Sequence, residues 1–167
     1  AYAPEGRTLG TFHAAEMTAL PFEDASHDYV LSSHALEHCA NPLLALREAW
    51  RVLKPGGTLV LVLPRPDLTF DHRRPITSLS HMIEDYERGT TEADLTHFGE
   101  IMHLHDLDMD PGAPQNIAGF AQRSLANMHN RCLHQHVVST DTAMGLLREA
   151  GFTVERSNDL TVDMRFI

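Results

Sequence analysis

The sequence predicts an α/β fold centred on a parallel strand–helix–strand unit. Three observations carry this. Tyr29-Val30-Leu31 is a short apolar run that stops at Ser32-Ser33-His34, as a strand opening into a loop does. Leu43, Leu46, Trp50 and Leu53 recur at steps of three and four, one stripe of an α-helix. Thr58 to Leu63 is a continuous β-rich run, the pattern of a strand covered on both faces. Two strands joined this way lie parallel with a right-handed crossover. Ligands of open parallel sheets bind beyond the carboxyl ends of the strands. That singles out Ser32, Ser33 and His34 after the first strand, and Pro64, Arg65 and Asp67 after the second.

Taken in order, Ala1 to Arg7 reads as an irregular start and Thr8 to His13 as a short, weak strand. Ala19-Leu20-Pro21-Phe22 is a non-helical hydrophobic anchor, and Glu23 to His27 a polar turn. Asn41 offers an N-cap oxygen, and Pro42 takes the first helical position, where its missing N–H costs nothing. Pro55-Gly56-Gly57 stops that helix. Arg65 to Pro75 is a loop rich in Pro, Asp, Arg and His. A helix is expected from Thr77 or Ser78, with Leu79, Met82, Ile83 and Tyr86 on one face and Gly89 at its end. A second is expected from Thr91, with Asp94 in the capping-box place and Leu95, Phe98 and Met102 inward. Asp106 to Gly112 is an acidic turn, and a third helix from Pro114 carries Ile117, Phe120, Ala121, Leu125 and Met128. These make a helical insertion, about 78–129, expected as a lid over the cleft. Ser139-Thr140-Asp141 caps a last helix striped by Met144, Leu147 and Ala150 and ended by Gly151. Phe152 to Arg156 and Leu160 to Ile167 are expected to pair as an antiparallel hairpin across Asn158-Asp159.

At 167 residues the chain reads as one domain. Thirteen Lys+Arg against 23 Asp+Glu give a net charge of −10, which argues against duplex nucleic acid or an anionic membrane as partner. No apolar run approaches the roughly 20 residues that span a bilayer. Two cysteines make no disulfide framework and point to a reducing, cytoplasmic setting.

The run "ALPFEDASHDYVLSSHALEH…NPLLALREAWRVLKPGG" resembles the class I S-adenosylmethionine-dependent methyltransferases, and "LLREAGFTVERSNDLTVDMRFI" resembles that fold's last helix and terminal hairpin. Phe70, Asp71, Arg74, Pro75 and Thr77 match a more weakly specific stretch after that fold's fifth strand. The resemblance implies a Rossmann-like sheet, S-adenosylmethionine as cofactor and methyl transfer to a small-molecule or carbohydrate-type acceptor. It places Glu16 and Met17 beside the adenine, and Ser32 and Ser33 along the cofactor's methionine half. The family's glycine-rich first loop and the acid that follows it are absent; Gly6 to Gly10 has the wrong spacing. The chain therefore reads as a single partial domain, incomplete at its N-terminus. A preceding segment or a second copy would complete the sheet.

Methyl transfer from a sulfonium asks the protein for alignment and, for a hydroxyl or amine acceptor, a base. His34, just past a strand's carboxyl end, is the candidate base; a satisfied loop histidine is the plain alternative. Arg65, Asp71, His72 and Arg74 sit where the acceptor enters, and Arg74 is placed to clamp a carboxylate or phosphate, against the alternative of an internal ion pair with Asp71. Glu37 and His38 are read as orienting the helix start. Two rival functions stay open: an inactive, truncated assembly module, and a metal-binding protein using the histidine-rich insertion. Among twelve histidines, His134-x-His136 has the better ligand geometry, with both rings on one face of a strand, than His103-x-His105. His97 is a further metal candidate, but no metal is assigned.

Overall fold

The computed structural model describes residues 10–158. Strand β1 spans His27–Ser33, helix α1 Pro42–Val52 and strand β2 Leu53–Val62; β1 and β2 pair in parallel, Val30 opposite Leu59 and Ser33 opposite Val62. Asn41 caps α1 as expected, its Oδ1 accepting from Leu44 N–H at 3.1 Å. The buried stripe of α1 is Leu43, Ala45, Leu46, Ala49 and Val52, whereas Trp50 is exposed. The expected stripe counted Trp50 by size; the face next to it is filled by small alanines.

Pro55-Gly56-Gly57 does not separate helix from strand by a turn of its own. It is a looped-out part of β2: the register jumps from His27↔Leu53 to Tyr29↔Thr58. Gly56 has φ +78° there, and a Cβ on Gly57 would lie 2.9 Å from Lys54 O and 3.1 Å from Asp28 O. Only glycine fits both places.

After β2 come helices α2 (Leu79–Arg88), α3 (Phe98–Leu104), α4 (Ile117–Leu125), α5 (Asn127–Asn130) and α6 (Thr140–Glu149). Ser78 caps α2, and Gly89 closes it at φ +65°. Ser139 and Thr142 form a reciprocal box at the head of α6. α3 begins at Phe98 rather than Thr91. Asp94 spends its carboxylate on Thr96, taking the backbone N–H at 3.0 Å and the hydroxyl at 2.8 Å, so 91–97 turns instead of coiling. Pro114 also precedes its helix; Asn116 caps α4 through Gly119 N–H at 2.8 Å.

One core joins α1, α2 and α6 under the sheet, around Leu36, Leu43, Leu46, Met82 and Leu146. A smaller one joins α3, α4 and the 131–133 stretch around Ile101, Phe120 and Leu133. The helical insertion is thus shared between two cores: α2 belongs to the body, and α3 to α5 form the satellite. The C-terminal hairpin is not formed among the described residues. Residues 152–158 carry no strand, and Leu160 to Ile167 lies outside them. Likewise 10–13 carry no strand, while Thr8 and Leu9 lie outside.

One sheet face is left bare by the described residues. Tyr29 is 71% exposed and Leu31 64%, and Val60 and Val62 beside them are exposed too. The opposite face, Leu59 and Leu61, rests on the main core. Among the described residues the sheet has two strands, so each keeps an unpaired edge.

Candidate active site

The carboxyl ends of β1 and β2 meet at one end of the sheet. His34 N–H donates to Val62 O at 3.0 Å, carrying the ladder one residue past β1. His34 then turns with φ +49°, a left-handed conformation that costs a residue with a Cβ roughly 1–2 kcal/mol. Its ring is exposed, and Nδ1 shares a hydrogen with Ser33 Oγ at 3.1 Å. Ser32 alternates to the inner side, where its Oγ is buried with no partner among the described residues. Leu36–His38 follows as one 3-10 turn that buries Leu36 and Glu37.

Glu16 and Met17 sit on a tight turn closed by Ala19 N–H to Glu16 O at 3.1 Å. Met17 packs on the main core. Glu16 is exposed and accepts from Arg131 at 2.6 Å. Arg131 also reaches Glu92 at 3.3 Å, and Glu92 accepts from Ala40 N–H at 3.2 Å. Glu16 is thereby tied to the same end of the molecule as the 36–38 turn.

Of the acceptor-side candidates, Arg65 is exposed and pairs with its neighbour Asp67 at 2.6 Å. His72 Nδ1–H donates to Thr69 O at 3.1 Å. Arg74 is buried, 1% exposed at its side chain. Its Nη1 donates to Asp71 Oδ1 at 2.8 Å and His134 O at 2.9 Å, and its Nε to Glu100 Oε1 at 2.7 Å. A guanidinium held on these sides is an internal tie and cannot clamp a substrate anion, which corrects the role expected of it. Asp71 is buried with it and takes a second hydrogen bond from His134 Nδ1. Burial pushes the Asp71 carboxyl up, but the His134 hydrogen bond and the charges of His134 and Arg74 outweigh it and hold it below the usual carboxylate range.

Above this tie lies Glu37. It is buried, and neither carboxylate oxygen has a partner among the described residues. Burial raises its carboxyl above the ordinary range. His38 Nδ1–H donates to Leu133 O at 3.0 Å, and burial lowers its imidazolium below the ordinary range. A cavity of about 10 Å³, the room one water needs, lies between Glu37, Pro64, Thr69, Asp71, His134 and His136. Sequence reasoning gave Glu37 and His38 a local role; their setting is made by segments far along the chain. The expected His134-x-His136 pair is also corrected. Residues 132–138 form no strand, His134 turns to Asp71, and His136 to Ala40 O at 3.3 Å and towards Asp85.

A parallel strand–helix–strand unit with polar and ionisable groups gathered at the strands' carboxyl ends is the arrangement at which open α/β sheets bind ligands. Residues 2–61 match the family model described as "Methyltransferase domain". An uncharacterized methyltransferase of Mycolicibacterium vanbaalenii is 52% identical over 52 residues, 31% of this chain and 20% of that protein. A malonyl-[acyl-carrier protein] O-methyltransferase of Erwinia pyrifoliae is 41% identical over 59 residues, 35% of this chain and 22% of its own. A demethylmenaquinone methyltransferase of Protochlamydia amoebophila is 37% identical over 68 residues, 39% and 28%. Through this stretch the chain is similar to methyltransferase domains. Its matches span under a third of these relatives' lengths. No helix among the described residues is long and apolar enough to cross a membrane.

Proposed function

We propose that this chain is the acceptor-side part of a methyltransferase that moves a methyl group from S-adenosylmethionine to a small-molecule acceptor. The observation that carries the reading is the methyltransferase match over 2–61, whose strand β1 ends on Ser32, Ser33 and His34. The acceptors in two relatives' names, an acyl-carrier-bound malonyl group and demethylmenaquinone, favour a small organic acceptor here.

The residues fit the cofactor in part. Ser32 Oγ is a buried polar atom without a partner among the described residues, where a methionine-half contact is wanted. Glu16 and the Met17 backbone would read the adenine edge. Nothing among the described residues supplies the acid that holds the ribose. When bound, the cofactor supplies a methyl group already activated on a sulfonium. His34 would accept the acceptor's proton at Nε2, while Ser33 Oγ on Nδ1 sets its tautomer. Arg65 and His72 would orient the acceptor at the mouth, and the satellite helices α3 to α5 would wall the entrance.

The bare face at Tyr29, Leu31, Val60 and Val62 supports one further part of this reading. In the working protein it is covered by the rest of a methyltransferase domain, carrying the glycine-rich cofactor loop. Calorimetry with S-adenosylhomocysteine on the natural full-length protein tests the function. Micromolar binding, with turnover lost on His34→Ala, is expected. No binding at millimolar ligand would favour a non-catalytic assembly module.

A further inference from the structure

Three histidines from separate segments converge, and two of them face one aspartate. His81 and Asp85 are one turn apart on α2, His97 precedes α3, and His136 comes from the stretch before α6. His81 Nε2 lies 3.0 Å from His97 Nε2 and 3.4 Å from Asp85 Oδ2. His136 Nε2 lies 3.7 Å from the same oxygen and 3.3 Å from Ala40 O, a contact that a metal on this nitrogen would replace. Asp85 Oδ1 is fixed by Thr90 Oγ1–H at 3.0 Å, but Oδ2 is buried with no hydrogen-bond partner among the described residues. A carboxylate oxygen is thus aimed between two imidazole nitrogens at distances too long for good hydrogen bonds. Two Nε2 atoms facing each other can share at most one hydrogen. One ring there must present a bare lone pair.

The spacing has a simple reading. A tetrahedral ion with bonds of about 2.0–2.1 Å sets its ligands ~3.3–3.4 Å apart. The separations 3.0, 3.4 and 3.7 Å bracket that edge. We propose that His81, His97 and His136, whose ligand atoms lie within 4.8 Å of one another, bind one Zn²⁺ ion, with Asp85, beside His81 and His136, as the fourth donor. Behind the ligands, Glu100, held by Arg74 through Oε1, has its Oε2 4.0 Å from His97 Nδ1, near it but beyond hydrogen-bond range. Four protein donors close the coordination shell, so the ion is structural. It pins α2, the head of α3 and the approach to α6 to one another, joining satellite to body. The proposal does not rest on the cofactor reading.

The test uses the full-length protein, purified without an affinity tag and freed of metal by a chelator. Cobalt(II) is titrated in as a probe and zinc as competitor. Expected are one metal per chain, the intense visible bands of tetrahedral cobalt, and their loss on adding zinc. His81→Ala, whose ring is partly exposed and whose loss leaves the fold intact by circular dichroism, and Asp85→Asn should each weaken binding at least tenfold. His103→Ala, on an exposed ring, should bind as the parent does. Absence of tetrahedral bands would overturn the proposal. So would binding untouched by His81→Ala, or binding lost on His38→Ala instead, which would move the ion to the neighbouring Glu37–His38–His134 group.

Discussion

Replacing Asp71 by asparagine keeps its shape and removes its charge, and the surroundings set the size of the effect. The Asp71 and Arg74 side chains are 4% and 1% exposed, so water cannot take over from the lost partner. Removing one side of a buried pair costs about 3–5 kcal/mol. Glu100 still faces Arg74 Nε at 2.7 Å, which places Asp71→Asn at the lower end, about 3 kcal/mol. For a chain of this size that is a fall of roughly 6–12 °C in Tm. Arg74→Met should cost at least as much, since it strips both Asp71 and Glu100 of their cation. In the double variant the second loss removes a partner already gone, so the total should undershoot the sum by about 1.5 kcal/mol or more. Urea unfolding followed by circular dichroism measures all four corners of the cycle. The pH dependence carries a sign of its own. Asp71 is held below its ordinary value in the folded state, so its contribution is present above about pH 4 and lost as pH falls further. The gap between Asp71→Asn and parent should therefore narrow as pH falls below about 4. A cost under about 1 kcal/mol at pH 7, or additivity within ~0.5 kcal/mol, would refute the tie as the element holding the 65–75 loop to the 131–138 stretch.

Two further outcomes follow from local geometry. Cys39 is 5% exposed and burial pushes its thiol up to about 12, so at pH 8 a thiol reagent should titrate Cys132 quickly and Cys39 only after unfolding; two fast thiols would contradict the packing around Leu36. Gly57→Ala sets a Cβ 2.9 Å from Lys54 O and should cost about 2 kcal/mol, whereas Gly99→Ala, in α3 with open space around it, should gain about 0.5–1 kcal/mol; thermal melts of the two variants that moved together would defeat the reasoning.

What was legible in the sequence is what local chemistry encodes. Asn41-Pro42, Ser78 with Gly89, and Ser139 with Thr142 each place an acceptor or a positive φ within four residues of what it satisfies, and each helix boundary follows. The parallel pairing was legible because two β-rich runs with a helix between them permit little else, although the cover expected on both faces is present on one only among the described residues. The misses are of two kinds. Asp94 and Trp50 were read by residue type, and tertiary context gave each another place: Asp94 turns the chain at Thr96, and Trp50 lies at the rim beside Gly151. The buried polar layer was hidden by distance along the chain. Asp71 and His134 are 63 residues apart, and nothing in the periodicity of either segment joins them.

Glu37 puts function and stability in opposition. It is 2% exposed, both oxygens lack partners among the described residues, and burial raises its carboxyl. A raised acid stabilises the fold below its unfolded value and loses that contribution as pH rises through the folded one. Well above the ordinary carboxylate range the raised acid is a liability, and the neutral isostere Glu37→Gln should stabilise the chain at pH 8 by about 1–3 kcal/mol. The gain should vanish near pH 4, where the parent is itself neutral. If the gain appears while turnover falls, the acid is kept against its cost for chemistry beside His34, as a carboxyl tuned upward at a strand end would be. If Glu37→Gln instead destabilises at every pH, an ion or water in the 10 Å³ cavity is satisfying the carboxylate, and Glu37 is a structural group.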